Sequence, residues 1–242
     1  MRITLTTLAL AVGLVHAAGP QASQSARALL LTPDAPEFSQ PAPARCIVRL
    51  DTTKGTVLIE VTREWAPRGA DRFVALVRHG YYDEARFFRI NPGRWTQFGI
   101  SGDPAIAKAW RTRTIPDDPF RQSNVRGTVA FAFAVPNGRT TQVFFNLGDN
   151  SATHDKEPFT PFGRVTAGMD VVESFNAEHG EGPGGIRAGR QDPFFDAGNA
   201  WLDARFPRLD YIRKAEVLTP PVSAAGRQSD DGPERRGTLR PW

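Results

Sequence analysis

Two alternating apolar runs, CIVRLDT at 46–52 and GTVLIEV at 55–61, meet around Lys54-Gly55. A period of two buries one face of a strand, and two such runs joined by turn residues read as an antiparallel hairpin. A lone hairpin is marginal in water, so this one demands partners. The chain supplies strand-like runs at RFFRI (86–90), RWTQFGI (94–100), GTVAFAFAV (127–135), TTQVFFNLG (140–148) and LDYIRKAEVL (209–218). In the third of these, Val129, Phe131 and Phe133 fall on one face and Ala130, Ala132 and Ala134 on the other.

Helical spacing interrupts the strands. In APRGADRFVALVRHG (66–80), Ala70, Phe73, Leu76 and Val77 share one side, Pro67 suits the first turn and Gly80 the stop. MDVVESFNAEHG (169–180) reads as a short second helix, and AGNAWLDARF (197–206) as a third that ends before Pro207. The 22 glycines and 20 prolines predict many turns, Asn137-Gly138 among them. The pattern gives a mainly β domain over 45–218, barrel or sandwich, with helices on its outside. Closure into a barrel would remove the exposed edges of such apolar strands.

The flanks read differently. Met1-Arg2, the apolar run LTTLALAVGLV and the small residues after it predict a signal peptide over 1–17, cut after Ala17 or Ala18. That implies a periplasmic or secreted protein with no stable membrane insertion after cleavage. Residues 18–44, rich in Ala, Ser and Pro, read as a flexible linker, and 219–242 as a disordered tail. Cys46 is the single cysteine, so no internal disulfide can form and packing must hold the domain. It reads as a small buried hydrophobe.

Several function classes drop out. Net charge is +4, with 30 basic and 26 acidic residues interleaved, which argues against a nucleic-acid partner. The four histidines are scattered, and no metal or cofactor motif is present, so neither a metal nor a cofactor is expected. The Gly-rich stretch 180–189 lacks the strand-then-helix setting of a phosphate loop. Arg187, Arg190 and Asp192 read as solvated residues and His154 as a loop residue.

Three segments carry more. FFRINPGRWTQFG (87–99) places Arg89 and Gln97 inside an aromatic strand pair. GTVAFAFAVPNGRTTQVFFNLGDN (127–150) joins a G-T-hydrophobic strand to a Q-V-F-F strand, and FTPFGRVTAGMDVVESF (159–175) follows. In motif, order and spacing they resemble the cyclophilins, over about residues 45–178 and more weakly over 211–218. The resemblance implies a closed eight-stranded antiparallel barrel capped by two or three helices. It implies a peptidyl-prolyl cis–trans isomerase, with proline-containing polypeptides as substrates and a monomeric state.

By matching position, Arg89 is the expected catalytic arginine and Gln97 the glutamine that orients it. Phe144 matches the pocket floor; Gln142, Ala132, Phe133, Phe159 and Trp95 match substrate-binding positions. Gln142 and Phe144 are two apart on a strand and so share a face. The pattern departs from the family at Arg94-Trp95, where Phe-Met is common, at Phe133 in place of an asparagine, and in the loop NSATHDKEP, which lacks a tryptophan. These departures keep a second expectation open: a weakly active or inactive module that holds Pro-containing segments as a chaperone.

Overall fold

The computed structural model describes residues 20–179, 186 and 190–218. The signal peptide expected at 1–17, the tail at 219–242 and Arg187 lie outside the described residues.

The expected hairpin is present. β1 (Arg45–Thr52) pairs antiparallel with β2 (Gly55–Thr62) in full register, from Arg45↔Thr62 to Thr52↔Gly55. Along β1, Cys46, Val48 and Leu50 point inward, and Val57, Ile59 and Val61 do so along β2. Burial pushes the Cys46 thiol up in pKa against the opposing pull of Arg78, so it stays a neutral core group. The helix α2 (Pro67–Arg78) then lays Ala70, Phe73, Val74, Leu76 and Val77 on the sheet. Gly80, at φ 73°, turns the chain out of it.

The remaining strands are β3 (Arg89–Asn91), β4 (Trp95–Phe98), β5 (Thr128–Phe131), β6 (Val143–Asn146), β7 (Pro161–Ala167) and β8 (Ile212–Leu218). All eight form one sheet, ordered β3-β4-β6-β5-β7-β2-β1-β8, and every pairing is antiparallel. The expectation of a closed barrel needs correction: the sheet is a curled half-barrel whose outer strands, β3 and β8, share no ladder. The reason is local. β3 is only three residues long, and the chain before it meets the start of β8 through a single bridge, Arg86↔Tyr211, rather than a ladder. Backbone bonds from Phe87 N to Asp210 O (2.9 Å) and from Ile212 N to Ala85 O (3.0 Å) hold that seam.

The short helices are α3 (Pro104–Trp110), α4 (Ser151–His154), α5 (Met169–Glu173) and α6 (Asp192–Arg205). The third predicted helix thus begins five residues earlier than its apolar spacing suggests, with Pro193 in its first turn and a kink at Gly198. Within 18–44, expected to be a flexible linker, the described residues 20–44 depart from that expectation. They contain α1 (Pro20–Leu30) and a 3-10 turn (Pro36–Ser39) seated on the domain. The Trp110 Nε1–H donates to the Leu30 carbonyl at 2.8 Å, and Phe38 packs edge-on against Trp110 at 4.8 Å. Composition alone reads such a segment as linker; two apolar residues with matching receptors are enough to anchor it.

Two cores result. The main one lies between the sheet, α2 and the 3-10 turn. A second gathers Phe88, Ile100, Ala107, Phe194, Phe195 and Leu202 under α6. Among the described residues, no helix is long and apolar enough to cross a membrane.

Candidate active site

Asn91-Pro92-Gly93-Arg94 closes the β3–β4 hairpin. Pro92 and Gly93, the latter at φ 73°, suit a turn that needs a left-handed third residue, and Arg94 N bonds back to Asn91 O at 2.9 Å. That turn sets the register Arg89↔Gln97, Ile90↔Thr96, Asn91↔Trp95. The next ladder adds Gln97↔Phe144, and the next Ala130↔Phe144. Directly opposed residues project to the same side, so Arg89, Gln97, Phe144 and Ala130 form one row across four strands. Phe98, Val143 and Phe145 take the other face and are fully buried in the core.

One step along the same face lie Gln142 and Ala132, joined where Ala132 N bonds Gln142 O at 2.9 Å. Side chains then connect the strands. Arg89 Nη1 donates to Gln97 Oε1 at 2.8 Å, and Gln97 Nε2 donates to Gln142 Oε1 at 2.6 Å. Gln142 Nε2 donates in turn to Oε1 of Gln191 at 2.9 Å. Gln97 is 3% exposed. A buried amide must be satisfied at both ends, and this one is.

The residues expected at the site fall into two adjoining groups. Arg89, Gln97, Ala132, Phe133 and Gln142 line a cavity of about 310 Å³, together with Arg111, Thr140, Gln191, Asp192 and Phe195. Trp95, Phe144 and Phe159 do not line it. They form an aromatic ledge beside it with His154: Trp95–His154 at 5.5 Å, Phe144–Phe159 at 5.7 Å and His154–Phe159 at 4.9 Å between ring centres. Phe133 belongs to both groups, its ring 4.2 Å from Phe159. Arg89 and Arg94 both lie over Trp95, at 5.5 and 5.2 Å. Trp95 therefore sits between two cations, as an aromatic face favours.

His154 is the correction to a loop residue: it is half-buried in the ledge. Burial and the nearby Arg94 lower its pKa against the pull of Asp155, which favours the neutral ring. Arg190 and Asp192 are exposed, as expected, and Asp192 lines the cavity while pairing with Arg111. An asparagine network also went unread. Asn146 bonds Asn124 and Thr128, and Asn150 Nδ2 holds the Arg94 carbonyl at 2.7 Å, which fixes the backbone next to Trp95.

Chemically, the cavity offers the guanidiniums of Arg89 and Arg111, neutral amides and apolar walls. Among the described residues, its lining contains no histidine and no cysteine, and its one carboxylate, Asp192, pairs with Arg111. The arrangement suits hydrogen-bond donation to a substrate rather than proton abstraction or covalent attack. Among the described residues, no cluster of His, Cys, Asp and Glu has the makings of a metal site.

The family described as cyclophilin type peptidyl-prolyl cis-trans isomerase/CLD matches residues 47–189, more than half of the chain. The chain belongs to the cyclophilin family. Its relatives include a peptidyl-prolyl cis-trans isomerase of Acinetobacter baylyi, 31% identical over 140 residues, which cover 56% of this cyclophilin and 74% of that protein. The peptidyl-prolyl cis-trans isomerase cyp18 of Streptomyces antibioticus is 32% identical, with 52% and 81% covered. The spliceosome-associated protein CWC27 homolog of Xenopus laevis is 34% identical over 136 residues, yet the match spans only 27% of that longer protein. Among solved structures, a cyclophilin type peptidyl-prolyl cis-trans isomerase of Cryptosporidium parvum superposes with a TM-score of 0.52 at 17% identity, covering 73% of this chain and 99% of that one. At that identity the likeness shows the fold. By family, this cyclophilin is a peptidyl-prolyl cis–trans isomerase.

Proposed function

We propose that this chain speeds cis–trans rotation of X-Pro bonds in exported polypeptides, with Arg89 as the donor to the prolyl nitrogen. Amide resonance sets a barrier of about 18–20 kcal/mol to that rotation. Twisting the amide ends the resonance, and the nitrogen becomes pyramidal and gains a lone pair. A guanidinium held beside it donates to that lone pair and finds no such acceptor in the planar ground state. The donation thus stabilises the transition state selectively. The carrying observation is the buried row in which Gln97, itself bonded to Gln142, fixes Arg89 Nη1 at 2.8 Å. In this reading, Trp95, Phe144 and Phe159 receive the proline ring. Ala132, Phe133 and Gln142 border the preceding residues. The leader-like sequence at 1–17 supports the exported setting.

The test is the rate of cis-to-trans conversion in a short X-Pro peptide. Arg89→Ala should lose about 2.7–4 kcal/mol of transition-state stabilisation, or roughly 100- to 1,000-fold in kcat/KM, on the scale of a deleted oxyanion donor. A rate unchanged by that substitution excludes Arg89 as the donor.

One observation favours a second reading, a Pro-segment binder without much rate enhancement. The rings of the ledge pack on one another, with Phe133 4.2 Å from Phe159, so the chain's own side chains occupy part of the apolar surface. That reading predicts peptide binding with no acceleration, and a brisk parent rate rules it out.

A further inference from the structure

Gln191 and α6 lie beyond residues 47–189, the segment matched by the family, yet they reach the row of side chains that begins at Arg89. We propose that Gln191 is a positioning residue for Arg89: it braces the amide of Gln142 in the one orientation that the guanidinium allows and, through it, that of Gln97. The kinetic consequence rests on the isomerase reading above; the positioning itself does not.

The argument is one of donors and acceptors. A guanidinium only donates, so Gln97 must present Oε1 to Arg89 and its NH2 to the other side. That NH2 meets Gln142 Oε1 at 2.6 Å, so Gln142 must present its own oxygen there and its NH2 outward. The outward NH2 requires an acceptor, and Gln191 Oε1 provides it at 2.9 Å. Gln191 Nε2 returns a second bond to Gln142 Oε1 at 3.3 Å. A flip of Gln142 alone would set its NH2 against the NH2 of Gln97 and break both bonds to Gln191. Arg89 thus selects one amide orientation along the whole row, and Gln191 braces its far end.

The location of Gln191 supports this use. It precedes α6 at the position where a side-chain oxygen commonly accepts from the first turn. Its side chain makes no such bond; its carbonyl takes the N–H groups of Phe194 and Phe195, at 3.0 and 3.1 Å. The side chain is left for Gln142. Helix α6 is also anchored at the other end of the row, because Phe194 packs edge-on at 5.5 Å against Phe88, the neighbour of Arg89. Asn199 N bonds Gly102 O at 3.0 Å to hold the helix there.

The experiment compares the parent with Gln191→Leu, which removes the acceptor, and Gln191→Glu, which keeps one. In the peptide-free protein, the NMR signals of the Arg89 Nε–H and the Gln97 side-chain amide should shift or broaden in Gln191→Leu. They should return towards the parent in Gln191→Glu. In the isomerase assay, Gln191→Leu should lower kcat about fivefold with little change in KM, as the loss of the closer of its two neutral hydrogen bonds to Gln142 implies. Unmoved Arg89 and Gln97 signals in Gln191→Leu overturn the proposal, as does an unchanged kcat in an active parent. So does an equal fall of both variants in activity and in thermal midpoint, which marks a merely structural contact. A parent with no isomerase activity sinks the function proposed above, and the NMR comparison then decides the role of Gln191 alone.

Discussion

His154 shows what burial does to a single side chain. Its pKa lies below 6.5 in the folded protein, first because burial disfavours the cation and second because Arg94 repels it. Unfolding restores the ordinary value, so between the lowered pKa and pH 6.5 the unfolded chain binds more protons. The neutral ring's contribution to stability is therefore fully present above pH 6.5 and is lost as pH falls below it. Thermal midpoints from pH 7 down to pH 5 should fall more steeply for the parent than for His154→Phe. Parallel curves would remove His154 as the cause. The amides of Gln97, Gln142 and Gln191 behave otherwise, because their charge does not change with pH. The contact of Arg89 with Gln97 was legible in the sequence through the match to the cyclophilin pattern, and the hairpin places the two on opposed positions. Gln191 was not, because it reaches Gln142 across 49 residues and through a Gly-rich stretch with no period.

Among the elements, α6 depends on one glycine. Gly198 has φ 61° and ψ −149°, a conformation open essentially to glycine alone. A Cβ there would stand 2.1 Å from the Gly102 carbonyl oxygen and 2.9 Å from Pro104. Gly198→Ala should cost at least about 1–3 kcal/mol from the backbone alone. Hydrogen exchange should show the loss in α6 before it shows in β1 and β2. Uniform exchange across the domain would contradict that local account. The kink hides the first half of the helix from sequence reading, since the apolar spacing restarts near residue 198 and only the downstream half looks periodic. Elements with long alternation, β1 and β2, were readable to within one residue. The three-residue β3 was not, and the expectation of closure failed at its edge.

For the molecule as a whole, a buried charge cluster ties distant segments together. Arg139 and the side chain of Asp118 are fully buried and pair at 3.0 Å, and Arg139 also donates to the Pro116 carbonyl. Asp118 accepts in addition from Arg68 N and Gly69 N, at 3.0 and 2.9 Å, in the first turn of α2. Arg139→Met would leave a buried carboxylate short of its cation and should cost about 3–5 kcal/mol, read from the denaturant midpoint. Asp118→Asn added to Arg139→Met should recover part of that loss; a double variant no better than the single would contradict the charge argument. Nothing in the sequence marks this pair, because both residues lie in turn-rich stretches where charges are ordinarily solvated.

The first and last strands of the sheet are neighbours: Ile47 of β1 pairs with Leu218 of β8. The sheet thus starts and finishes about one strand spacing apart, near 4.8 Å. The lead into β1 is no loose tether, for Leu30 and Ala42 are buried in the same core. A host protein joined at the far side of that lead would keep its distance from the Arg89 row, to which β1 and β8 contribute no residue.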